Sequence, residues 1–279
     1  KRGDFSLPPV AVTVSDPFGL YRRMQQIAAP AHLVILPKVW RLRKIAIRPL
    51  STHGHAGHIP SRQAGAGIDF FGVREYRMGD PLRHINWRLT ARHDDRPYTN
   101  EFEQQRVTDI GLILDARRQN EIRTAGESLF EHAVRATAAL ADLFLSDGNR
   151  VGLLIYGRAL ERTFPGYGKL QRERILRALA QAKLGDSIVF ESLSYLPIRF
   201  FPAQSQIVFV SPLHPDDQSV LVKLRARGYQ VMVISPDPVT FEARQLSLSP
   251  SVELAQRIVR VERDLLLRKL RRVGVQVVD

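Results

Sequence analysis

Val107-Thr-Asp-Ile-Gly-Leu-Ile-Leu-Asp115 is a nearly unbroken apolar run that ends on a carboxylate. A strand with one wet face alternates polar and apolar residues, whereas a strand covered on both faces does not. The run therefore predicts a central strand of a mostly parallel sheet. The chain then alternates helix and strand. Glu127 to Leu145 places Leu129, Ala133, Ala136, Leu140 and Phe144 on one helical face, and Asp147-Gly148-Asn149 stops it. Helices are likewise expected at Leu170 to Ala182, Asp216 to Arg227 and Val252 to Val273. Strands are expected at Arg150 to Gly157, Gln206 to Pro212, Tyr229 to Pro236 and Val275 to Asp279. Right-handed crossovers of this length give a doubly wound α/β fold over residues 107–279. Ligands of such sheets sit at the carboxyl ends of the strands, which here carry Asp115, Gly157, Ser211 and Ser235.

Residues 1–106 read differently. From Arg2 to Ile47 short apolar alternations are broken by turns such as Asp16-Pro17-Phe18-Gly19, which suggests a small β-rich, sandwich-like domain. Residues 51–67 are rich in Gly, Ser and His and read as a mobile loop. His53, His55 and His58 in it could bind a metal, but no carboxylate accompanies them and the flexible polar loop is the favoured reading. Residues 68–106 form an arginine-rich junction. Between Arg62 and Arg96 there are seven arginines and no lysine, interleaved with Phe70, Phe71, Tyr76, Trp87 and Tyr98 and with Glu75, Asp80, Asp94 and Asp95. Diffuse attraction would tolerate lysine, so arginine alone points to bidentate or stacked contacts. The candidate residues are Arg74, Tyr76, Asp80, Arg83, Trp87, Arg88 and Arg92, serving a partner, the domain junction or both. Asp80 and Trp87 are expected to be structural, with some of Arg74, Arg83, Arg88 and Arg92 exposed at the junction between the domains.

The 279 residues carry a net charge of +13, with 44% hydrophobic residues and no cysteine. Disulfides, thiolate metal sites and a cysteine nucleophile are excluded. No apolar run is long enough to span a membrane. The chain opens on Lys1 inside a strand-like pattern, so segments before it are expected. No glycine fingerprint for a phosphate follows any strand, and neither G-x-S-x-G nor H-E-x-x-H occurs. A hydrolase is accordingly the weakest reading. The basic charge keeps open a nucleic-acid or anionic-membrane-surface binder. The last helix has an apolar stripe (Leu254, Ile258, Val261, Leu265, Leu266) among arginines and is expected to pack on the sheet.

The run Arg74-Glu-Tyr76, Gly79-Asp80, Arg83-x-Ile85-x-Trp87-Arg88 and Ala91-Arg92 before VTDIGLILD resembles the prokaryotic domain-of-unknown-function family fifty-eight. The segments SDPFGLYRR (Ser15 to Arg23), RVGLLIYG and RGYQVMVISPD share the resemblance. It implies a von Willebrand factor A-like C-terminal domain, whose metal site would use Asp-x-Ser-x-Ser after the first strand. Only Asp115 matches, because Arg117 and Gln119 replace the hydroxyls. A divalent cation there would meet arginine, so no metal and no cofactor are expected. The resemblance further implies a membrane-anchored, non-catalytic binding or scaffold protein with its soluble domains in the cytoplasm. The implied partner is a MoxR-type AAA+ ATPase acting in complex assembly.

Overall fold

The computed structural model describes residues 2–28, 31–42, 59–93, 96–124, 126–157, 160–185, 192–244, 246 and 249–279. In chain order the strands and helices begin with β1 (Gly3–Leu7), β2 (Val10–Ser15), β3 (Arg22–Ile27), β4 (Ala31–Ile35), β5 (Ile59–Glu75), α1 (Trp87–Thr90) and β6 (Tyr98–Arg106). They continue with β7 (Asp109–Asp115), β8 (Arg123–Thr124), β9 (Glu127–Ser128), α2 (Leu129–Ser146), β10 (Arg150–Tyr156), β11 (Leu160–Gly166) and α3 (Gly168–Gln181). The remainder are β12 (Gln206–Val210), α4 (Asp217–Ala226), β13 (Gln230–Ile234), α5 (Pro238–Ala243), α6 (Pro250–Arg272) and β14 (Gln276–Val278).

The apolar run becomes β7, buried along its whole length and flanked on both sides by parallel neighbours, β10 and β12. The six-stranded sheet has the order β11-β10-β7-β12-β13-β14, and only the edge strand β11 runs antiparallel. Side-chain alternation splits β7 between two cores. Leu112 and Leu114 meet Val134, Ala138 and Phe144 of α2 and Leu176 of α3. On the opposite face Ile113 joins Phe209, Val231, Leu221 and Leu224 of α4 and Leu270 of α6. Helices on both faces explain why β7 needs no polar side, and each fully buried Leu or Ile contributes ~1.5–3 kcal/mol. Gly111 faces the second core with no side chain, because the Phe201 ring lies 2.6 Å from where a Cβ would stand. The sequence reading assigned neither β11 nor α5.

The first part of the chain departs from a packed sandwich. β1 pairs with β4 and β2 with β3 as two separate antiparallel ribbons, whose registers differ by one residue (Leu7 opposite Ala31, Val10 opposite Ile27), and the β2–β3 ribbon turns at residues 16–21. Their side chains are largely exposed, Phe5, Val14, Leu20 and Met24 included. β5 and β6 form a third ribbon. The alternating apolar residues were read as the inner face of two sheets, but a lone hairpin has no second sheet to cover that face. Of the expected mobile loop, residues 51–58 with His53, His55 and His58 lie outside the described residues. From Ile59 the backbone is strand β5, not loop.

α6 is also a correction. Ser249 caps its first turn, Pro250 opens it, and Gly274 (φ 82°) follows its last turn. Only Leu267 and Leu270 are buried, while Leu254, Ile258, Val261 and Leu265 are about half exposed. Twenty-three helical residues span ~35 Å, whereas strands of five to seven residues span only ~17–23 Å. The C-terminal end packs on the sheet as expected, with Leu266 half-buried against the second core, but the sheet is too short to cover the whole helix, so the rest of the stripe remains in solvent. Among the described residues no helix is long and apolar enough to cross a membrane.

Candidate functional site

The order of the sheet reverses at β7, since one crossover leads left to β10 while β12 on the right leads on to β13. The crevice at the carboxyl ends of β7 and β12 is where doubly wound sheets hold ligands. Here it is filled from within. Asp115 ends β7 and Ser211 follows β12. Two residues after Asp115, the Arg117 side chain turns back into the crevice. Arg117 Nε and Nη2 donate to Asp115 Oδ1 and Oδ2 at 2.9 and 2.6 Å. Arg117 Nη1 and Nη2 donate to Asp217 Oδ1 and Oδ2 at 2.9 and 2.7 Å. All three side chains are almost wholly buried, at 3% exposure or less.

Neutral donors complete the shell. Asp115 Oδ2 also accepts from Ser211 Oγ and Asn120 Nδ2, both at 2.6 Å. The backbone N–H of Arg117 donates to Asp115 Oδ1 at 3.1 Å, and that of His214 to Asp217 Oδ2 at 2.9 Å. Burial works against the Arg117 charge, but the hydrogen bonds from Asp115 and Asp217 outweigh it and hold the guanidinium charged, with its pKa above the ordinary value. One cation between two carboxylates, each with further donors, is a compensated buried cluster. Leu213, beside Ser211, adopts φ 67°, a left-handed conformation costly for a leucine. Its N–H donates to Ser211 Oγ at 3.0 Å, so the same cluster holds that turn.

Among the described residues, nothing in this crevice resembles a nucleophile with a base. Ser211 Oγ donates to a carboxylate that is itself saturated, and no histidine ring takes part in these bonds. Burial also raises Tyr156, whose hydroxyl donates to the Ser192 carbonyl, to about 12. Of the four strand-end residues singled out from the sequence, Asp115 and Ser211 meet in the cluster. Ser235 is outside the carboxylate cluster but next to it: its hydroxyl donates to the Pro212 carbonyl, and its hydroxyl and carbonyl accept from Arg263 Nη2 of α6 at 3.0 and 3.1 Å. Gly157 is packed so closely that a Cβ would lie 2.3 Å from the Ala116 carbonyl oxygen. The sequence reading treated Arg117 only as a repellent of cations and missed Asp217, Asn120 and Arg263. The available signal was the pair Asp216-Asp217 at the head of a helix, one turn after a strand end.

The arginine-rich segment builds a second constellation. Arg74 forks onto Asp80, with Nη1 and Nη2 at 2.7 and 2.8 Å from its carboxylate oxygens, and Nε reaches Glu101 at 2.6 Å. The backbone N–H of Arg77 also donates to Asp80 at 2.8 Å, which closes the turn at residues 77–80. The Arg74 side-chain bonds, with the Arg77 N–H, hold the Asp80 carboxyl down to about 2. Asn86 caps α1 by accepting from Leu89 N–H. Tyr76 is half-buried, and its N–H donates to the Pro97 carbonyl. Arg83, Arg88 and Arg92 are exposed, and so are Met78 and Leu82. Trp87, expected to be structural, is 68% exposed, because a four-residue helix on a two-stranded ribbon offers no core to bury an indole. Asp94 and Asp95 lie outside the described residues. The hydrogen bonds of Arg74, Asp80, Asn86 and Arg96 stay within residues 74–101. The first ribbon reaches the α/β part through Arg2, which bonds the Leu179 and Ala180 carbonyls and Glu131.

Fold and site together define a mixed α/β protein with a six-stranded, mostly parallel central sheet whose ligand crevice is occupied by its own arginine. The chain belongs to the family described as protein of unknown function DUF58, which matches residues 72–220. It is 32% identical over 130 residues to uncharacterised proteins of Mycobacterium tuberculosis and Mycobacterium bovis. That match covers 46% of this chain and 39% of theirs, so the similarity spans about two fifths of these relatives. A solved aerotolerance-related membrane protein from Bacteroides fragilis aligns at 15% identity with a TM-score of 0.35, over 56% of this chain and 98% of that one.

Proposed function

We propose that this chain is a non-catalytic binding module that engages a protein partner through the exposed face of residues 74–92. The observation that carries this reading is an exposed indole, Trp87 of α1, with exposed Arg83, Arg88 and Arg92 around it in sequence, in a segment that follows the turn pinned by Arg74 and Asp80 and is tied to β6 by Asn86 on Asn100 and by the Tyr98 N–H on Thr90. Tryptophan and arginine are the residues most enriched at binding hot spots, and a rigid support lowers the entropy lost on docking. The sheet order, with its single antiparallel edge strand and a carboxylate at the end of the first strand, supports a von Willebrand factor A-like reading. The crevice, filled by its own hydrogen-bonded side chains, favours binding over catalysis. The partner proposed is a MoxR-type AAA+ ATPase in complex assembly, with the full-length protein held at the membrane by segments outside this chain and its soluble domains in the cytoplasm.

The test is co-purification of the full-length protein with that ATPase, comparing wild type, Trp87→Ala and Arg83→Lys. A third of the indole is buried, ~80 Å², so Trp87→Ala should cost at most ~2 kcal/mol of stability. Binding should weaken by about thirty-fold or more. Unchanged binding by both variants overturns the reading. Equal loss of affinity for the ATPase and for random-sequence DNA, with a steep salt dependence, would instead identify a nucleic-acid binder.

A further inference from the structure

The crevice at the switch point has the make-up of a cation site. Two buried carboxylates, Asp115 and Asp217, come from different elements and face one point. The Ser211 hydroxyl adds a third oxygen-bearing side chain at 2.6 Å from Asp115. Asn120 is 7% exposed, and its Nδ2 points at Asp115, while its buried Oδ1 accepts no hydrogen bond among the described residues. A rotation of that amide would aim an oxygen at the same point. Hard divalent ions are held by such sets of carboxylate, hydroxyl, amide and water oxygens. The point they share is occupied by the Arg117 guanidinium, which bonds both carboxylates at once.

We propose that Arg117 is a tethered cation: its guanidinium stands where a divalent ion would otherwise bridge Asp115, Ser211 and Asp217. The chain thereby carries its own positive charge at the switch point. It holds the loop after β7 and the loop before α4 in one arrangement without metal. Arg117 is a positioning residue in this scheme. It fixes Asp217, which holds the His214 N–H, and through Asp115 it fixes Ser211, which holds the left-handed Leu213. The surface presented by residues 211–217 is then independent of divalent ions, so whatever docks at this end of the sheet does so in the presence of a chelator. The inference rests on the geometry of the crevice and not on the partner reading above.

Replacing the tethered charge with a small neutral side chain should turn the crevice into a metal site. In the full-length protein, Arg117→Ser leaves two uncompensated buried carboxylates, and its Tm should fall by roughly 10 °C. Millimolar MnCl2 should restore about 5–10 °C of that loss, as expected for a native-state ligand well above its dissociation constant. Electron paramagnetic resonance should show one bound Mn2+ per chain. Arg117→Ser combined with Asp217→Asn should show neither effect. Wild type and Arg117→Lys, which keep a cation in place, should be indifferent to both MnCl2 and chelator. If Arg117→Ser does not accumulate as folded protein, it is refolded from denaturant with and without MnCl2, and recovery should require the metal. An Arg117→Ser protein as stable as wild type overturns the proposal. So do a metal-insensitive variant, equal refolding with and without metal, and stoichiometric Mn2+ binding by wild type.

Discussion

Asp217→Ala is the perturbation whose size follows most directly from the geometry. It deletes two charge-assisted hydrogen bonds from Arg117, at 2.9 and 2.7 Å, and one from the His214 N–H at 2.9 Å. Bonds to charged groups are worth ~1.5–3 kcal/mol each, and breaking a buried pair on one side costs ~3–5 kcal/mol. The deleted carboxylate no longer has to be desolvated, which offsets part of the loss, so a net cost of ~3–4 kcal/mol is expected. At ~2–4 °C per kcal/mol for a domain of this size, Tm should fall by roughly 10 °C. Urea unfolding followed by far-ultraviolet circular dichroism measures the loss. Arg117→Met and the double variant then complete a thermodynamic cycle. Because the two side chains share a buried network, the double variant should lose less than the two single losses combined, with a coupling of ~2 kcal/mol or more. A single-variant loss below ~1 kcal/mol, or additivity within ~0.5 kcal/mol, would refute the assignment of Arg117 and Asp217 to one network.

Three further outcomes are expected. Asp80 should titrate near 2 in the folded protein against an ordinary value of 3.8, so its contribution is present above pH ~4 and lost as pH falls toward 2. Carboxyl-carbon NMR reads this directly, and a midpoint near 4 would count against the Arg74 fork. Gly157→Ala pushes a methyl to 2.3 Å from the Ala116 backbone oxygen, and equilibrium unfolding should register a loss of about 3 kcal/mol, the cost of overpacking against a backbone that cannot step aside. Ile258→Ser, on the solvent-exposed stripe of α6, should change stability by no more than ~0.5 kcal/mol, whereas Leu270→Ser on the same helix should be severe.

Much of the α/β part is legible in the sequence because its signals are local and redundant. The apolar run within β7, Ile110 to Leu114, announces burial on both faces. The period of α2 announces its core face, and the residues Asp147-Gly148-Asn149 announce its end. Strand β11 escaped notice because an edge strand half in solvent, LERTFPG, carries a proline and no apolar run. Trp87 and the stripe of α6 misled for the opposite reason. An apolar side chain in a sequence predicts a covering surface, but hydrophobicity states what a side chain favours, not what the rest of the fold supplies.

The sequence by itself determined the alternation of strands and helices, the central place of residues 109–115 and the presence of Asp115 at a ligand-bearing strand end. Those properties follow from periodicity and chain reversal, which act over a few residues. Only the tertiary structure decided what that carboxylate does. Asp115, Asn120, Ser211 and Asp217 come together around Arg117 across as many as 100 residues of chain, and no local pattern encodes that meeting. In the sequence an arginine two places after an aspartate reads as a charge that keeps metal away. In the folded crevice, with water excluded and two carboxylates facing it, the same guanidinium is the counter-ion that lets them be buried.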